Sequence, residues 1–367
     1  MTPPPIPAPD PLLLPLPPGV LKALLLATFT LHLMAVNLGV GGSLILAVHA
    51  LLGGPRNQHL VRKLAPLLPA AVTFAITLGV APLLFLQLIY GPFFYTASVL
   101  TAVPWLALIG LLMGGYALVY RFVGASGSAP VHAFNGIVGA LLFLLAGLSF
   151  VNVTTLSLRP DLWVAQAAAS SHGLSMNTSD PTLWPRFLHL SAGIVAVAGL
   201  AMAAWGTLVE HAWARQAGLR WFIGATASQA AFGTWLLVAQ PAALQEHLLN
   251  GGSTSSLTMW IAIACGALAL LMVIPASQDG APPGSVWTPL GLGIASVLGM
   301  ILLRDQARDA SLATFGFHPG SLPYRTDWLS LGVFCVVLIG VLVLLFMGLR
   351  WILQPQSAAP GPDSEAP

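Results

Sequence analysis

Long apolar stretches separated by short clusters of glycine, proline and charged residues repeat along nearly the whole chain. The stretches run to about the 20 residues that a helix needs to cross a ~30 Å hydrocarbon layer. Within them apolar residues surround the helix instead of forming one stripe, as expected of helices immersed in lipid. The pattern predicts about nine spans, near 20–52, 65–90, 97–121, 131–157, 184–209, 219–239, 256–276, 285–303 and 329–352. Turn residues close the spans: Gly53-Gly54-Pro55 after the first, Gly124-Ala125-Ser126-Gly127 after the third, and Gly280-Ala281-Pro282-Pro283-Gly284 before the eighth. Two connections, 158–183 and 304–328, are longer and fall on one side of the membrane. The predicted fold class is therefore all-α, a polytopic membrane helix bundle over 20–353. A Pro-rich arm (1–19) precedes it and a disordered Pro/Ala/Ser-rich tail (354–367) follows.

Composition agrees. Hydrophobic residues make up 57% of the chain and charged residues 7%, against roughly 25% charged in soluble domains. A net charge of +2 gives no nucleic-acid signature. The arm has no basic n-region ahead of an apolar core, so it does not read as a signal peptide. Cys265 and Cys335 lie far apart, and neither sits in a C-x-x-C-H sequence, which excludes covalent c-type haem. Lysine and arginine orient the bundle. The loop with Arg56, Arg62 and Lys63 carries no acid, and with Arg121, Arg215, Arg220 and Arg350 it predicts N-terminus outside and C-terminus inside. A bacterial inner (cytoplasmic) membrane is the expected location.

The ionisable side chains well inside the apolar runs are His32, His49 and His189. An ionisable group in hydrocarbon is a functional hypothesis by default, and neutral imidazole can both enter a bilayer and ligate a metal. The structural alternative is a histidine hydrogen-bonded to a neighbouring helix, and His49, near the inner end of its span, fits that reading. His59, His132, His172, His211, His247 and His318 fall at span ends or in loops and read as solvated. His189 lies in Trp184-Pro185-Arg186-Phe187-Leu188-His189-Leu190-Ser191-Ala192-Gly193. Arg186, one helical turn earlier, could pair with a haem propionate or snorkel to the interface. Gly193, one turn later, removes a side chain where a flat macrocycle would approach. Gly39 follows His32 by seven residues in a similar setting.

These residues resemble subunit I of the cytochrome bd quinol oxidases. Leu31-His32-Leu33-Met34-Ala35-Val36-Asn37-Leu38-Gly39 is similar to that family's opening helix, which carries a haem-ligating histidine. Phe187-Leu188-His189-Leu190-Ser191-Ala192-Gly193 is similar to its F-x-H-x-x-A-G segment, whose histidine ligates a low-spin haem b. Leu257-Thr258-Met259-Trp260 resembles the helix that supplies the opposing methionine. The resemblance implies metal ligation by His189 and Met259, by His32 for a second group, and cofactor contacts from Arg186 and Gly193.

The chain also departs from the family. Gln87 and Val297 stand where carboxylates are expected, and no acid occurs between Asp10 and Asp161. Only residues 240–255 separate the sixth and seventh spans, so the family's large quinol-binding loop is missing. The resemblance thus implies an electron-transfer subunit with one haem b, or two, and no catalytic residue of its own. It would pass electrons between quinol and an outer redox partner, such as a c-type cytochrome docked on the two long loops. Arg304, Asp305 and Tyr324 are candidate quinone contacts. Two rivals are an active bd-type quinol:oxygen oxidoreductase subunit and a haem-free anchor or transporter.

Overall fold

The computed structural model describes residues 13–124, 129–170, 172–278 and 280–353. Most of the expected arm (1–12) and the whole expected tail (354–367) lie outside the described residues. Among those described, nine helices are long and apolar enough to cross a membrane. They are α1 (Pro18–Leu52), α2 (Leu68–Leu100), α3 (Ala102–Gly124), α4 (Ala129–Ser157), α5 (Leu183–Leu208), α6 (Ala212–Ala239), α7 (Thr254–Ala276), α8 (Trp287–Ala313) and α9 (Trp328–Leu353). No strand occurs among the described residues, only an isolated bridge between Leu14 and Tyr324. The all-α polytopic class is as expected.

The bundle is apolar outside as well as inside. On α3, Leu106, Ile109 and Met113 are each more than 60% exposed and repeat at helical spacing, a stripe that only lipid or another apolar surface could cover. Inside, Ile45, Leu46 and Ala47 of α1 pack with Phe122 of α3, Ala133 of α4, Ile194 and Ala198 of α5, and Ala214 and Ala217 of α6. A second cluster joins Ala196, Leu200 and Ala203 of α5 to Leu219 and Phe222 of α6 and to Ala269 and Val273 of α7.

α1 is interrupted by a π-helical turn at Asn37–Gly41. There α1 approaches α5 closely: a Cβ on Gly41 would lie 2.5 Å from the Ile194 carbonyl oxygen. Gly39 packs on Val72 of α2, the helix whose Ala75 carbonyl and Gly79 lie against His32, so Gly39 stays on the His32 side of α1. α2 bends at Tyr90 (φ −116°, ψ 24°), two residues before Pro92. Proline lacks the amide that would close the turn and crowds the carbonyl four residues back. The predicted break at 90 is therefore a kink, and the helix runs on to Leu100.

Two other boundaries differ from the sequence expectation, both at charged turns. α6 begins at Ala212, capped by His211 Nδ1, which accepts from the Ala214 amide at 3.1 Å. α8 continues ten residues past 303 to Ala313, so Arg304, Asp305, Arg308 and Asp309 are helical and not in a loop. The expected long loop 304–328 shrinks to 314–327, which removes much of one of the two loops expected to dock a c-type cytochrome.

The described residues divide into two compact units, one of 18–322 and the other of 13–17 with 323–353. Within the second, the amides of Arg325 and Asp327 donate to the carbonyls of Leu14 and Pro15, each at 2.8 Å. Asp327 caps α9 by accepting from the Ser330 hydroxyl and the Leu329 amide. The Ser330 hydroxyl is the main reason its carboxyl sits below the usual range.

Candidate functional site

His32 and His189 are anchored alike by different helix pairs. His32 Nδ1 lies 2.8 Å from the Ala75 carbonyl of α2, and His189 Nδ1 lies 3.1 Å from the Gln229 carbonyl of α6. A carbonyl oxygen only accepts, so in both rings Nδ1 carries the proton and Nε2 keeps its lone pair. Neither Nε2 has a hydrogen-bond partner among the described residues. An imidazole so held by a backbone carbonyl has its tautomer and orientation set for metal ligation through Nε2. Each ring also rests on a glycine of the facing helix. A Cβ on Gly79 would stand 2.9 Å from Cε1 and Nδ1 of His32, and one on Gly233 would stand 3.1 Å from the same atoms of His189.

His49 differs. Asn57 Nδ2 donates to the Gly53 carbonyl at 2.8 Å, which turns its Oδ1 toward His49 Nδ1 at 2.9 Å. The Trp221 indole donates to His49 Nε2 at 3.2 Å. Both nitrogens are taken, so His49 fastens α1, the short helix Gly54–Leu64 and α6 together. The structural reading of His49 is the one the geometry supports.

Met259 is 3% exposed, one turn into α7 from the Ser253 cap. Gly193 faces α6, and a Cβ there would come within 2.7 Å of Gln229 Nε2. Its missing side chain thus makes room for the Gln229 amide, on the same residue whose carbonyl holds His189.

The end of the bundle at which α1 begins holds a group of charges that the sequence alone assigns to a loop. Lys22 of α1 pairs with Asp305 of α8 at 2.8 Å and also with Asp309. Arg308 pairs with Asp305 and lies 4.1 Å over the Tyr90 ring, and the Tyr90 hydroxyl donates to Asp309 at 2.6 Å. The α2 kink aims Tyr90 at this network. Beside it, Arg186, Arg304 and Arg308 line a crevice with Tyr90, Phe93 and Ser157. Arg304 lies 4.8 Å over the Phe29 ring, whose centroid is 6.2 Å from that of His32. Arg186 is one turn before His189, and its Nε is buried without a partner. Of the candidate quinone contacts, Arg304 and Asp305 lie in this region, whereas Tyr324 belongs to the other unit.

Among the described residues no cluster of three or more His, Cys, Asp or Glu side chains could hold a metal ion. No family model matches the sequence, and no curated protein is similar to it. The fold does have a known counterpart. It is similar to a chain of the bd oxidase from Geobacillus thermodenitrificans, at a TM-score of 0.72 and 13% identity, covering 91% of this chain and 98% of that one. The chain has a divergent bd-oxidase-like fold.

Proposed function

We propose that this protein is a membrane electron-transfer subunit in which His189 and Met259 would hold a haem b and His32 would hold a second. The observation that carries the reading is the paired arrangement of His32 and His189. In each, Nδ1 is committed to a backbone carbonyl, Nε2 keeps a lone pair, and a glycine lies against the ring. Imidazole and thioether are donors suited to a haem whose chemistry, when bound, would be electron transfer. The protein's own part is to fix both imidazoles, exclude water with its apolar core and supply guanidinium groups for carboxylates. Quinol is the donor we propose, in keeping with the bd-oxidase-like fold. A bacterial cytoplasmic membrane with the N-terminus outside fits the acid-free first loop.

The test is optical. Purified wild-type protein should give a reduced b-type spectrum and a positive pyridine haemochrome. His189→Ala should remove the low-spin band while the protein stays monodisperse, and Met259→Leu should convert low-spin to high-spin haem. Wild-type protein without haem refutes the proposal.

One observation favours the oxidase reading as a second possibility. The spans are not free of acids as the sequence suggests, because Asp305 and Asp309 lie within α8 and Asp309 accepts from Tyr90. Quinol-driven oxygen uptake together with a haem d band would select that reading.

A further inference from the structure

We propose that Arg186 and Arg304 form a carboxylate clamp in the crevice they line with Tyr90 and Phe93. Six ionised side chains meet at this end of the bundle, and four of them neutralise one another: Lys22 and Arg308 against Asp305 and Asp309. Arg186 and Arg304 are left over. No ion pair to either occurs among the described residues, and Arg186 Nε is buried without a hydrogen-bond partner. Asp180, the acid nearest Arg186 in sequence, attracts it only through space, since its oxygens bond the Thr182 amide and hydroxyl and face Arg159 at 3.8 Å.

Two guanidinium groups inside a membrane span call for anions, since an unpaired buried charge is strongly disfavoured. The crevice offers about 30 Å³ of water-accessible space. A single water needs roughly 10–15 Å³, so the space suits a group of carboxylate size. Forked guanidinium donors match a carboxylate in geometry as well as charge. The two arginines point to different ligand sites: Arg186 is one turn from His189, and Arg304 stacks on Phe29, itself one turn from His32. The clamp thus gives each imidazole position a carboxylate partner at a common crevice. This inference rests on the haem reading for the source of the carboxylate, since haem carries two propionates, whereas the clamp itself requires only the anion.

Haem-depleted protein in detergent should be reloaded with haem or with haem dimethyl ester, whose propionates are blocked. Wild type should retain haem at least tenfold more tightly than the ester. Arg186→Gln and Arg304→Gln should each erase most of that preference, and Arg304→Lys should keep part of it. Equal retention of haem and ester by wild type, or an intact preference in Arg304→Gln, overturns the clamp and leaves the haem reading standing. A second arm follows thermal unfolding of the haem-free protein in sodium propionate against sodium chloride at equal ionic strength. If wild type takes up no haem, the haem reading fails. The clamp then stands only if propionate raises the unfolding midpoint of wild type and not of monodisperse Arg304→Gln or Arg304→Lys.

Discussion

Gly233→Ala tests the geometry of the His189 position with one methyl group. A Cβ at 233 would lie 3.1 Å from Cε1 and Nδ1 of His189, about 0.3 Å short of the 3.4 Å at which ordinary contact begins. The ring must move off α6 by that amount or the helices must part. Gln229, whose carbonyl holds Nδ1 at 3.1 Å, is also on α6, so the same movement stretches a bond already near the long end of the ~2.7–3.2 Å range. Loss of such an orienting partner weakens metal ligation by roughly 10–100-fold, or about 1.4–2.8 kcal/mol at 1.4 kcal/mol per tenfold. The rate of haem transfer to apomyoglobin measures it. Gly224→Ala, on the same helix with nothing within 4 Å of the new Cβ, gains the same helix propensity and serves as control. Equal haem loss from the two variants would refute the proposed role of the α5–α6 contact in holding His189.

Two further substitutions separate structural from cofactor roles. Lys22→Met leaves Asp305 and Asp309 short of a cation; breaking a largely buried pair from one side costs about 3 kcal/mol, discounted somewhat for the 23% and 27% exposure of Lys22 and Asp309. It should lower the thermal midpoint in detergent, and an unchanged midpoint would show that the network contributes nothing to stability. His49→Phe strands the Trp221 indole and the Asn57 amide oxygen, both half-buried, at a cost below the roughly 1–3 kcal/mol of a fully buried group. It should destabilise the protein yet leave the reduced haem spectrum as in wild type. Loss of a haem band on this substitution would instead make His49 a ligand.

The nine spans are legible because hydropathy over some 20 residues is a coarse property that survives local irregularity. Charge is what misleads. The segment Arg304-Asp305-Gln306-Ala307-Arg308-Asp309 has the charge density of a loop, yet it continues α8, because Lys22 and Tyr90 reach it from helices far away in sequence. A partner more than 200 positions distant leaves no local trace. The histidines show the same limit. Position near a span end singles out His49 in the sequence, but the partners that decide its role do not show there: an indole N–H at its Nε2, and none among the described residues at Nε2 of His32 or His189. Gly193 is legible as a missing side chain, but the Gln229 amide that needs the room is not. Gly79 and Gly233, which lie against the rings, carry no signal in sequence because they come from helices facing the histidines and not from those carrying them.

The neutral network and the two unpaired arginines are better understood together than apart. Asp305 directly follows Arg304, and Asp309 lies on the same helix. Left alone, these carboxylates would be the closest available anions for Arg304 and would cancel the charge that makes the crevice a carboxylate site. Lys22 takes both of them, Arg308 takes Asp305 a second time, and Tyr90 donates to Asp309. The acids are thereby saturated by partners from α1, α2 and their own helix, and Arg304 turns to the face of Phe29. A cation on an aromatic face keeps its outer donors free, whereas one in an ion pair does not. Lys22 therefore stabilises the fold and also keeps Arg304 unneutralised. Both effects have the same origin, which is why loss of Lys22 should weaken the preference for haem over its ester as well as the thermal midpoint, although Lys22 does not line the crevice.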